Sequence, residues 1–142
     1  MWFESGTVTL EILIGGYTDR PWYFQTEHMG RNALECQVAL NNEETGEDFV
    51  MWDEILQTEE IVAIHDGLAK ILSGVETQFR FHSEYETFAI AVQAVEDGFD
   101  TLVQIQKFGG NVREKFSLSR TLLSENCEYL KICCEKYPVR NV

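Results

Sequence analysis

The spacing of apolar residues alternates between a period of two and a period of three to four, and the switches divide the chain into elements. Gly6-Thr7-Val8-Thr9-Leu10-Glu11-Ile12-Leu13-Ile14 is rich in β-branched residues and ends at Gly15-Gly16, which predicts a strand. The pattern breaks from Tyr17 to Gly30, a loop or irregular edge holding Pro21 and the aromatic cluster Trp22-Tyr23-Phe24. Ala33–Leu40 alternates again. Asn41 to Gly46 is a turn, and Phe49–Trp52 returns as a strand, so these two segments predict a hairpin. From Thr58 the period becomes helical: Ile61, Ile64, Leu68, Ile71 and Leu72 share one face, with Thr58 as N-cap and Gly74 closing the C-terminus.

After Gly74 the period of two returns. Phe79 and Phe81 face one way, opposite Gln78, Arg80 and His82, and Phe88, Ile90 and Val92 alternate in the next strand. Turns at Gly98–Asp100 and at Gly109-Gly110-Asn111 lead into Leu102–Gln106 and Val112–Phe116, a meander of antiparallel strands. Leu123, Cys127, Leu130, Cys134 and Tyr137 then repeat at helical spacing until Pro138 stops the run. The order is three strands, a helix, four strands, a helix, with no parallel β-α-β unit and no repeat visible in the residues. The expected fold is α+β: an antiparallel sheet or two-sheet sandwich of about seven strands with two helices packed against it, in a single domain over residues 1–142.

Composition adds little to this until charge is placed along the chain. Its 142 residues, 44% apolar and 12% aromatic, suffice for a sizeable core. No apolar run reaches the roughly 20 residues that span a bilayer, and the first residues lack the basic and apolar regions of a signal peptide. A cytoplasmic protein is expected. Between Asn32 and Ala69, however, there is no Lys or Arg and there are ten acids, which puts most of the net charge of −13 into about a quarter of the length. Such a field repels nucleic acid and anionic membrane and attracts a basic partner.

Candidate chemistry is sparse. His28, His65 and His82 have no metal-ligand spacing, and Cys36, Cys127, Cys133 and Cys134 form no C-x-x-C, so free thiols and no metal or cofactor are expected. No serine lies in G-x-S-x-G, and neither Gly pair carries the Lys of a phosphate loop. The last 36 residues hold seven cations against four acids, without interleaved aromatics, and read as ion pairs rather than a nucleic-acid surface. The expected site is instead a partner-binding rim of Glu43, Glu44, Glu47, Asp48, Asp53, Glu54, Glu59 and Glu60, with Trp52, Trp22 and Tyr23 as aromatic anchors. The alternative is a small enzyme or ligand-binding domain with a carboxylate-lined pocket.

The layout also resembles a known family. An early strand, an aromatic loop and a hairpin lead into a helix with I-x-x-I-x-x-x-L; Phe79-Arg80-Phe81-His82-Ser83-Glu84 precedes further strands; and Phe116-Ser117-Leu118-Ser119-Arg120-Thr121-Leu122-Leu123 enters a helix ending in Lys136-Tyr137-Pro138-Val139-Arg140. Over nearly the whole chain this is similar to the WapI-type immunity proteins of bacterial contact-dependent toxin systems, although Ala33-Leu34 stands where the family usually carries Trp-Leu. The resemblance implies a cytosolic, non-enzymatic protein that binds and neutralises a cognate toxin domain. Such a toxin domain would be a basic protein, for example a nuclease.

Overall fold

A computed structural model describes residues 1–18, 32–107 and 110–140. Four strands, β1 (Trp2–Ser5), β2 (Val8–Tyr17), β3 (Ala33–Asn42) and β4 (Glu47–Gln57), run into helix α1 (Thr58–Leu72). Four more, β5 (Gln78–His82), β6 (Phe88–Val95), β7 (Gly98–Lys107) and β8 (Gly110–Leu118), run into α2 (Arg120–Lys136). Each set of strands is an antiparallel meander in sequence order, giving two four-stranded sheets. The α+β class follows the hydrophobic pattern, with eight strands in place of about seven. The extra strand arises because Gly6, at φ 58°, reverses the chain and pairs Trp2–Ser5 back on Val8–Glu11. The architecture therefore repeats a four-strand-plus-helix unit that the residues themselves do not.

Alternation decides which face of each strand is covered. In the first sheet Leu10, Ile12, Ile14, Cys36, Val38 and Leu40 point inward, and in the second Ile90, Val92, Val103, Ile105, Val112 and Phe116 do so. These residues and the apolar stripes of both helices form one continuous core. The helices rest on the inner faces and on each other, and among the described residues neither helix covers an outer sheet face. The N-cap of α1 is Gln57 rather than Thr58. Gln57 N–H donates to Glu60 Oε1 at 2.8 Å, while the Thr58 hydroxyl donates to Asn32 O at 3.2 Å. Ser119 caps α2 by accepting from Leu122 N–H at 3.1 Å.

Three contacts lock the halves together. Strand β1 lies beside β8 with no ladder between them among the described residues, and Phe3 meets Phe116 with ring centroids 5.6 Å apart. The free edge of β1 is closed by Asn126 of α2. Its amide accepts from Trp2 N–H at 2.7 Å and donates to Trp2 O at 2.9 Å, as a neighbouring strand would. Finally, the β5–β6 turn docks on the β4–α1 junction. Glu60 Oε2 accepts from Glu84 N–H at 2.8 Å, and the Thr87 hydroxyl donates to Ile55 O at 2.6 Å. Buried Ser83 Oγ accepts from the N–H groups of Thr87 and Phe88 at 2.9 and 3.0 Å.

Candidate functional site

The period of two that builds the core of the first sheet also fixes its outer face. Along the strands the outward positions are Trp2 and Glu4 in β1, then Glu11, Leu13 and Gly15 in β2. They continue with Glu35, Gln37, Ala39 and Asn41 in β3, and Asp48, Val50 and Trp52 in β4. Cross-strand register sets them in rows: Trp2–Glu11–Ala39–Val50, Glu4–Thr9–Asn41–Asp48 and Leu13–Gln37–Trp52. A solvated sheet face ordinarily carries polar residues. Here Val50 is 57% exposed, Trp52 56%, and Trp2 and Leu13 38% each. Every charged residue in these rows is acidic.

Trp52 lies near two irregularities of the sheet. A bulge between Ile14 and Gly16 leaves Gly15 without a register partner in β3, and a second bulge offsets β4 against Leu34–Glu35. A Cβ on Gly15 would meet the Trp52 ring at 3.4 Å, an ordinary contact, and the Glu35 carbonyl oxygen more tightly at 3.3 Å, so the indole packs close over the backbone at Gly15. The C-terminal segment fastens the same end. Tyr137 Oη donates to Gly15 O at 3.2 Å, and the Tyr17 hydroxyl donates to Pro138 O. The Arg140 guanidinium stacks 3.7 Å above the Tyr17 ring, and Arg140 N–H donates to Asn32 Oδ1 at 2.7 Å.

The residues expected at the site fall into separate groups. Asp48 and Trp52 share the outer face, and Glu43, Glu44 and Glu47 project from the exposed hairpin tip at its end. Glu59 is exposed at the start of α1. Asp53 is half-buried and accepts from Glu54 N–H at 2.8 Å. Glu54 is only 1% exposed and Glu60 7%, so neither extends the acidic rim. Both carboxylate oxygens of Glu60 hold backbone N–H groups, and burial nonetheless pushes its pKa up from the usual carboxylate range. Trp22 and Tyr23 lie outside the described residues. Charge counted along the sequence missed Glu4, Glu11, Trp2, Leu13 and Val50. Their signal was apolar residues at the outward positions of otherwise alternating strands.

The cysteines offer no nucleophile. All four are free thiols; Cys36, Cys127 and Cys133 are buried, and Cys134 is half-buried. Burial pushes the Cys36 thiol up to about 12 and raises the other three. Among the described residues no cluster of His, Cys, Asp and Glu is suited to a metal ion. No described helix is long and apolar enough to cross a membrane. No family model, curated protein or solved structure matches the chain.

Proposed function

We propose that this chain is an immunity protein, a cytosolic inhibitor that binds a basic toxin domain through the outer face of its first sheet. One observation carries the reading: four large apolar side chains stand exposed on a face whose charged residues, among the described outward strand positions, are all acidic. Isolated surface hydrophobics are ordinary, but Trp2, Leu13, Val50 and Trp52 share one sheet face. Two of them are tryptophans, the residue most enriched at binding hot spots. The acids around them, with Glu43, Glu44 and Glu47 at the hairpin tip, steer and orient a cationic surface. Inhibition is then steric and electrostatic and asks no catalysis of the inhibitor. The resemblance in element order to WapI-type immunity proteins supports the same reading.

The test is capture of a partner on immobilised protein across a salt gradient, with the wild-type chain beside a variant carrying Trp52→Ala and Val50→Lys. Both positions are exposed, so the variant keeps its fold, which circular dichroism checks. The expected outcome is a basic protein held by the wild type, eluting as salt rises, and lost from the variant. Truncating a central tryptophan costs about 2 kcal/mol or more, roughly thirtyfold in affinity. Equal retention on both columns would place the interface elsewhere.

A further inference from the structure

The outer face of the second sheet is built differently from that of the first, and it is concave. A cleft of about 430 Å³ opens over it, within the range of about 300–1,000 Å³ typical of small-molecule sites. Its layout follows from register. One row crosses the sheet as Arg80–Ala91–Leu102–Lys115, and the next as Gln78–Gln93–Asp100–Ser117. Alanine is unfavourable in strands, yet both Ala89 and Ala91 occupy outward positions of the central strand β6. The floor is therefore low and apolar, with Leu102 beside Ala91, and the two walls are long cationic side chains.

From this arrangement we infer that the cleft binds an elongated dianion, with a carboxylate or phosphate at each end and an apolar body between. Three interstrand steps of about 4.8 Å separate the backbones of Arg80 and Lys115 by roughly 14 Å. Both side chains can fold inward over Ala91 and Leu102, so a ligand shorter than that span meets a cation at each end. Neither cation is drawn into a hydrogen bond or ion pair with a described residue, although Asp100 lines the same cleft. Gln78, Gln93 and Ser117 supply neutral polar groups along one side. No outward aromatic residue lines the cleft, so nucleobase stacking is not the recognition it offers. The chain's net charge of −13 opposes an anion at long range. At physiological ionic strength that field is screened beyond about 8 Å, and the local row decides. This site is independent of the acidic face on the first sheet.

The experiment is an NMR titration of backbone amides in the full chain with azelate, with hexane bisphosphonate, and with nonanoate as a single-ended control. Saturable shifts centred on Arg80, Ala91, Leu102 and Lys115 are expected with the two dianions, and binding at least about tenfold weaker with nonanoate. Tighter binding of the bisphosphonate than of azelate would identify phosphates as the ends, and the reverse would identify carboxylates. Arg80→Ala and Lys115→Ala should each weaken the preferred dianion about tenfold without altering the melting temperature. Leu102→Glu should abolish binding. Equal affinity for azelate and nonanoate, shifts mapping to another surface, or no saturation with any probe would overturn the inference.

Discussion

Gly67 sits inside α1, where ordinary helix energetics favour alanine over glycine by about 1 kcal/mol. Here a Cβ would lie 2.1 Å from Cε1 of Phe79 and 2.4 Å from its Cζ, so the ring must move or the helix must shift. Gly67→Ala is therefore expected to destabilise the protein by roughly 1–3 kcal/mol, opposite in sign to the propensity effect, as a urea melt would measure. The cysteines give a second outcome at this scale. With all four thiol pKa values raised, the native protein should react slowly with a thiol reagent at neutral pH. Cys134, the most exposed, should label first and Cys36 only on unfolding, which mass spectrometry of labelled peptides can order. Sequence pattern correctly marks Leu10, Ile12, Ile64 and Leu130 as core because their period is unambiguous. It cannot separate Glu59, which is exposed, from adjacent Glu60, which is buried. Nothing local tells that a turn some two dozen residues later supplies Glu60 with a second N–H donor.

The elements depend on a few polar side chains that bridge distant parts of the chain. Ser83→Ala would strip an acceptor from two buried backbone N–H groups in the turn that braces α1. A loss of roughly 2–4 kcal/mol is expected in equilibrium unfolding. Asn126→Ala leaves both backbone groups of Trp2 without their partner, at a cost of about 1–3 kcal/mol. It also uncovers a strand edge, so light scattering on incubation should rise faster than for a variant equally destabilised in the core. Strand β1 was the element hardest to read from sequence. It has four residues, too few for a period of two to declare itself, and its pairing depends on the turn at Gly6. By contrast α1 and the β5–β8 meander were legible because each carries several repeats of its own period.

Viewed whole, the molecule separates its charge between two sheet faces. Glu4, Glu11, Glu35 and Asp48 lie on one, while Arg80, Arg113 and Lys115 outnumber Asp100 on the other. If the first face meets a basic partner, association should slow at least about tenfold as the Debye length falls from roughly 30 to 8 Å. Stopped-flow tryptophan fluorescence can follow this through exposed Trp2 and Trp52. A salt-independent rate would argue for a purely apolar interface. The acidic character of one region was evident from composition, but its shape was not. Glu4 and Glu11 reach the face through hairpin register, whereas Glu54 and Glu60 leave it by burial.

The clasp between Asn126 and Trp2 joins positions 124 residues apart in the chain. During synthesis at about 5–20 residues per second, the first hairpin leaves the ribosome several seconds before the residue that closes its edge. For that interval an unfinished chain presents an open strand carrying Trp2, and neighbouring nascent chains on one messenger could pair through it. Production of this protein is thus most vulnerable while α2 is still being translated, and slowing translation across the codons of α2 would lower the yield of soluble protein.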